Sequence, residues 1–441
     1  MIINLIKKSF NKFVLVVNKN TLIGLVSFMN TKYIKIDKKN IPACMAIGIF
    51  FKVLLNPSIN GLSDGLVIAA SITNLLATTT ITERYKNESW KFGFVYNFFF
   101  FLTLIYVKVS SLLYFFIVYE MFLLPSAFLI FIFNPGKRGL ETCKHFLLWT
   151  QTGSVFVGIS FLYIASYCGM TSFNSHSVFI KKIPIYIQFL LIIGFLIKVP
   201  SYPFYFWLLK THVESVTSFS IFLSGFLVKV AVYGIFKVLP LLDSFVRSSA
   251  ICLLFSGGIA SSAAIIKQTD YKKLVAYTTV QEMSQLAIMV FLFGNSNSAI
   301  VGHFVIVHGL LSAIFFFISE VLQRIYKSRC VFSISGLMIV APKLSMIVVA
   351  AILLFRGFPF TSKNKIEMNM VDLLYNYEYL LLALWLVFII FLGNIAITFV
   401  TFKTLVFSAG KEKNNDVTYF EFIYAVFVCL LLIFFIFIKI N

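Results

Sequence analysis

Apolar runs of roughly 20 residues follow one another along nearly the whole chain, each long enough to cross a hydrocarbon core as a helix. In lipid no water satisfies the backbone, so a run of this length has to close its own hydrogen bonds, and an α-helix does so. The charge content agrees. Only 12% of the 441 residues are charged and 60% are hydrophobic, against about 25% charged in soluble domains. Fifty-three phenylalanines add apolar bulk. The sequence therefore predicts an all-α polytopic membrane protein with about 14 transmembrane helices.

The net charge of +20 is concentrated in short connections such as "KKSFNK", "KIDKKN", "NPGKRGLETCK" and "QRIYKSR". Such clusters orient helices across a bilayer and meet anionic lipid headgroups. Nucleic-acid binding would need a solvated basic domain, and no stretch is long enough to form one. The six cysteines are dispersed without a C-x-x-C pair, so the spacing of a zinc or iron–sulfur site is missing. They read as packing residues. No small-residue cleavage site follows the first apolar run, and no cleaved signal peptide is expected.

The spans predicted are 12–29, 41–57, 61–81, 91–107, 110–133, 142–168, 178–198, 217–240, 245–266, 272–293, 298–325, 337–356, 379–408 and 419–440. Two of them are interrupted, at Val199-Pro200 and in "RGFPFTSKNK" around Pro359, with half-helices resuming near 203–212 and 365–376. Proline removes a backbone donor and clashes with the preceding turn, and a broken helix is tolerated within a membrane only where it lines a cavity. Paired interruptions point to two inverted repeats with a site near the bilayer midplane. The expected organisation is one membrane domain, 1–441. N-terminal helices occupy 1–83, a first five-helix repeat 91–240 with its break at 199–200, a second repeat 245–408 with its break at 357–364, and a C-terminal helix 419–440.

A charge at mid-bilayer costs about 2.5–3.5 kcal/mol on insertion scales, so intramembrane charges mark candidate sites. Glu120, in "LLYFFIVYEMFLLPSAFLIF", lies too deep for a short carboxylate to reach water. It is either a structurally paired acid or a proton-handling one. Lys198 borders the first break, where burial favours the neutral amine and a nearby carboxylate the charged one. Lys229, in "SIFLSGFLVKVAVYGIF", lies near mid-span, about 15 Å from either surface by helical rise. His308, in "GHFVIVHGLLSAIFFF", is either a hydrogen-bonded core histidine or a relay group, and His303 lies five residues earlier. Glu367 follows the second break, with Lys363 one turn before as a possible neutralising partner. "KTHVES" supplies His212 and Glu214. "KQTDYKKLVAY" supplies Lys267 and Asp270, where Asp270 reads equally as a helix cap and the lysines as headgroup contacts. No nucleophile elbow, phosphate loop or metal cluster accompanies these groups. Proton movement fits them; covalent chemistry does not.

"LIKVPSYPFYFWLLKTHVESVTSFSIFLSGFLVKVAVYG", "KQTDYKKLVAYTTVQEMSQ", "HGLLSAIFFFISEVLQRIYKSR", "VYEMFLLPSAFLIF" and "GLSDGL" together resemble the antiporter-like membrane subunits of respiratory complex I, the NADH dehydrogenase subunit 4 family above all. The resemblance covers about residues 61–400. It implies a fourteen-helix antiporter-like fold in the membrane arm, translocating protons as ubiquinone is reduced elsewhere. It assigns the helix glutamate to Glu120, its paired lysine to Lys198, the bridging lysine to Lys229, the central histidine to His308 and the terminal acid to Glu367. It implies no cofactor on this chain; NAD, FMN, iron–sulfur clusters and ubiquinone belong elsewhere in the complex. The implied partners are other membrane-arm subunits, the neighbouring antiporter-like ones included, and lipids such as cardiolipin. The implied location is the mitochondrial inner membrane, with a bacterial plasma membrane as the alternative. Departures from the family are Tyr205 for a histidine, Leu209 and Val216 for prolines, and Glu282 for a histidine. Arg356, Lys363 and Lys365 stand where the family is mostly apolar. Two other readings remain open, a free-standing monovalent cation/proton antiporter and a structural scaffold without transport.

Overall fold

The computed structural model describes residues 61–81, 89–134, 136–173, 183–294, 296–376, 380–406 and 416–435. The spans expected at 12–29 and 41–57, with the basic segments beside them, lie outside the described residues. Within them the chain is helical, and extended pairing is limited to two isolated bridges, Ser111 with Ser172 and Asp270 with Cys330.

After α1 (Leu62–Thr79) come α2 (Ser89–Lys108), then α3 (Leu112–Met121) running into α4 (Leu123–Phe133), then α5 (Lys137–Tyr167). The next span is broken into α6 (Ile185–Lys198) and α7 (Phe206–Glu214). A fifth joins α8 (Thr217–Phe222) through a π-helical turn, Leu223–Leu227, to α9 (Val228–Val238). The order then recurs. It runs through α10 (Ser244–Ile266), α11 (Tyr271–Phe293), α12 (Ser298–Tyr326), a broken span of α14 (Pro342–Phe355) and α15 (Ser362–Asn376), and α16 (Leu380–Val406). A short α13 (Leu337–Val340) precedes α14, and α17 (Tyr419–Phe434) closes the described chain. Each set thus has five segments, and the fourth is broken in both.

Among the described residues seven stretches are long and apolar enough to cross a membrane, with shorter apolar helices at 185–198, 342–355, 383–395 and 419–434. Burial separates centre from rim. The apolar windows of α12 and of 217–241 are 94% and 89% buried, those of α5 and α10 only 44%. The outer helices show apolar faces outward, as in α2, where Phe94, Phe98, Phe101 and Ile105 are exposed while Tyr96, Phe99 and Tyr106 are buried. An apolar rim around an apolar core suits a lipid solvent and would not suit water. At the centre a Cβ on Gly225 would collide with Thr73 Cγ2, and one on Gly309 would sit 3.1 Å from the Gly225 carbonyl oxygen. Small residues here let three backbones approach closely.

Both breaks are real, and both differ from expectation in where the helix resumes. After Lys198 the helix restarts at Phe206 rather than near 203, because Pro200 and Pro203 each lack the N–H a helical turn requires. The freed carbonyls have protein partners. Trp207 Nε1 donates to Ile197 O at 2.9 Å and Ser201 Oγ to Leu196 O at 3.2 Å. At the second break the helix resumes at Ser362, three residues earlier than expected. The Thr361 hydroxyl accepts from the Asn364 backbone N–H at 3.3 Å, so the polar "SKNK" is a capped first turn and not a loop.

Candidate functional site

Glu120 sits next to the α3–α4 junction, where Pro125 cannot donate back to Met121. The Lys198 ammonium, on the last residue of α6, donates to Glu120 Oε1 at 3.0 Å and lies 3.8 Å from the centre of the Tyr119 ring. The side chains are 11% and 23% exposed for Lys198 and Glu120. A carboxylate on one face and an aromatic ring on the other stabilise the cation. Beside the pair lies a small, mostly apolar cavity of about 40 Å³, lined by Tyr119, Ser126, Thr150 and Lys198 and by apolar side chains that include Phe146, Val228 and Ala231. It reaches from Lys198 to the helix that carries Lys229, and hydroxyls border it.

Lys229 is fully buried. It lies two residues past the π-helical turn, and its ammonium donates to the Ser224 carbonyl inside that turn. A π-turn shifts the backbone out of the usual α-helical pairing, and here the lysine uses a carbonyl there. Around Lys229 stand His212, His308 and Glu282 as electrostatic neighbours. His308 is 2% exposed and His212 fully buried, and neither ring has a hydrogen-bond partner. His212 stacks on Phe316 with centroids 4.6 Å apart. Buried polar nitrogens without partners are costly unless water or a moving proton serves them.

Glu282 and Lys363, two departures noted in the sequence, face each other in space. Their ion pair closes at 2.6 Å with side chains 2% and 3% exposed. Lys363 also stands 3.7 Å from Glu367 and 3.7 Å from the centre of the Phe355 ring. Glu367 therefore does have Lys363 beside it, but that lysine is held more closely by Glu282. Of the other two unexpected cations near the break, Arg356 reaches toward Thr398 Oγ1 at 3.4 Å, and Lys365 is a neighbour of His303. His303 is fully buried near Phe435.

The remaining candidates lie apart from this line. Asp270 caps α11, accepting from the backbone N–H groups of Lys272 at 2.9 Å and Lys273 at 3.2 Å. Lys267 is exposed at the end of α10. Lys272, read from sequence as a headgroup contact, is instead buried and donates to the Ser215 carbonyl at 2.5 Å. Its acidic neighbours are Glu320, Asp270 and Glu214. Sequence reasoning missed both Lys272 and Glu320. The first looked like an interfacial lysine at a helix start; the second sits toward the polar end of α12.

Comparison with known proteins adds to this geometry. Residues 109–393 match the family described as "NADH:quinone oxidoreductase/Mrp antiporter, TM". NADH-ubiquinone oxidoreductase chain 4 of Paramecium tetraurelia is 33% identical over 370 residues, which cover 82% of this chain and 78% of that one. NADH-quinone oxidoreductase subunit M of Rickettsia bellii is 30% identical over 260 residues, 57% of this chain and 52% of the relative. This chain thus spans about half the length of that relative. A chain in the respiratory complex I of Thermus thermophilus with bound aureothin superposes with a TM-score of 0.73 at 14% identity, covering 94% of this chain and 95% of that one. A chain of the Mrp complex from Dietzia sp. DQ12-45-1b gives 0.71 at 15% identity, with 80% and 68% covered. The likenesses to solved structures establish a shared antiporter-like fold.

Proposed function

The chain belongs to the family of membrane subunits shared by NADH:quinone oxidoreductases and Mrp antiporters, and from that premise we propose that it is a proton-translocating membrane-arm subunit of NADH:ubiquinone oxidoreductase. It is a multi-pass membrane protein working as part of an enzyme complex. NAD, FMN, iron–sulfur clusters and quinone are handled by other subunits, and this chain converts their free energy into proton movement. Its partners are the other membrane-arm subunits, with antiporter-like neighbours and cardiolipin as the finer assignment, and its location is the mitochondrial inner membrane.

The observation that carries this reading is the ion pair between Glu120 and Lys198 at a broken helix, beside a cavity that borders the helix carrying Lys229. With Glu120 charged and close, the Lys198 ammonium is stabilised. When Glu120 withdraws or takes a proton, that support is lost and burial favours the neutral amine. Each pKa unit of such modulation corresponds to about 1.36 kcal/mol, so a modest displacement decides whether Lys198 keeps its proton. The released proton passes through water in the cavity to Lys229, which is buried and held by one carbonyl, then to the partnerless ring of His308 and out by Glu367.

The test is Lys198→Ala in the intact complex, reconstituted in sealed vesicles. The expected outcome is an assembled complex whose quinone reduction no longer drives proton uptake. An unchanged ratio of protons to electrons would remove Lys198 from the path. Cation/proton exchange by the purified chain alone would favour a free-standing antiporter.

A further inference from the structure

The two repeats carry the same kind of acid–lysine pair at their breaks, with the lysine just before the first break and just after the second. In the first, an acid near the middle of the second segment, Glu120, meets a lysine at the edge of the broken fourth segment, Lys198, at 3.0 Å. In the second, an acid near the middle of the second segment, Glu282 on α11, meets a lysine at the edge of the broken fourth segment, Lys363 in the first turn of α15, at 2.6 Å. The lysines even share their second partner type, an aromatic face at 3.8 Å for Lys198 and 3.7 Å for Lys363. The second pair is drier than the first, at 2% and 3% exposure. Glu282 Oε2 and Glu367 Oε1 are both buried without a hydrogen-bond partner. Lys363 stands between those acids, 2.6 Å from one and 3.7 Å from the other. His308 lies within its electrostatic reach.

We propose that Lys363 is a second proton-carrying lysine, with Glu282 as the acid that holds its charge, so that each repeat contains one acid–lysine switch. This deepens the proton-translocating role and rests on it. The neutral Lys363 amine takes a proton from the His308 imidazolium, relayed by water: an imidazole N–H bond breaks, a lysine N–H bond forms, His308 is left neutral, and the ammonium is held by Glu282. Rotation of the side chain toward Glu367 breaks that N–H bond and forms an O–H bond on the Glu367 carboxylate. The amine is regenerated and the neutral acid carries the proton onward. Glu282 keeps its charge throughout and acts as a positioning residue. A lysine that only tied α11 to α15 would need one acid, and Lys363 stands between two, Glu282 and Glu367.

Two variants of the intact complex separate the roles. Lys363→Arg preserves the charge and the pairing, but a guanidinium does not give up its proton. Combining Glu282→Gln with Lys363→Met removes both charges of the close ion pair. The expected result is assembled complex in which proton uptake per quinone reduced falls by more than about tenfold, the scale of losing a positioned proton-transfer group. Uptake within about twofold of the parent in either variant overturns the proposal, since proton transfer would then need neither a labile proton on Lys363 nor the pair itself. Failure of both variants to assemble overturns it as well, by making the pair a lock. Lys198→Arg run in parallel tests the underlying reading. If it stalls pumping while Lys363→Arg does not, only the second switch is lost; if it pumps normally, the proton-translocating role of the first pair fails.

Discussion

Lys363 and Lys198 show how differently one residue type reads in sequence and in space. Lys198 was legible because it interrupts an apolar run two residues before a proline. Lys363 reads in sequence only as a neutralising neighbour of Glu367 one turn on, and only the capped turn of α15 brings the lysine against Glu282 at 2.6 Å. Glu282 was visible as an odd acid, but its partner, 81 positions further along, was not. The pair's isolation from water makes a stability prediction. Lys363→Met alone strands a buried carboxylate and lowers stability by about 3–5 kcal/mol, whereas adding Glu282→Gln recovers most of that loss. Thermal unfolding of the detergent-solubilised complex, read as a double-mutant cycle, checks it. Gly357 gives a second residue-scale prediction. Its φ is +66°, and an added Cβ would meet Glu367 Oε2 at 2.8 Å. Gly357→Ala should cost about 1–2 kcal/mol for the left-handed backbone and also displace the terminal acid. Proton uptake should therefore fall by more than thermal stability alone accounts for.

At the scale of elements, the spans were readable from hydropathy, while the ends of half-helices depended on single hydrogen bonds that periodicity does not reveal. The first break is lengthened by Pro203, and the second shortened by the Thr361 cap. Thr361→Ala should weaken α15 by about 1 kcal/mol, seen as faster amide exchange through residues 362–366 with α14 unaffected. Trp207→Phe keeps the ring packing and deletes the N–H that serves Ile197 O. Leaving that carbonyl unpaired should cost about 1–3 kcal/mol, measured as a lower unfolding temperature of the complex. The π-turn at Leu223–Leu227 had no sequence signal of its own. Gly225 within it packs closely against Thr73 and Gly309 across the interface.

Across the whole molecule, composition alone predicted a helical membrane protein, because charge so sparse and phenylalanine so abundant leave no soluble alternative. What it withheld was which apolar faces meet lipid and which meet protein, since both are greasy and hydropathy does not tell them apart. The structure separates them. A lipid-soluble carbene reagent should label Phe94, Phe98, Leu124 and Phe128, which are exposed, and spare Tyr96, Phe99, Phe115 and Phe133, which are buried. Labelling of the second group would place the helices wrongly. Any of the first group spared only in the assembled complex would mark where a neighbouring subunit sits.

The stitching of the first break has its own consequence. With an indole on one loosened carbonyl and a hydroxyl on the next, the bend beside Lys198 is a riveted elbow and not a pivot. Any stroke passed along the arm at this point then has to be taken up by long, supple side chains, while the scaffold they hang from stays still.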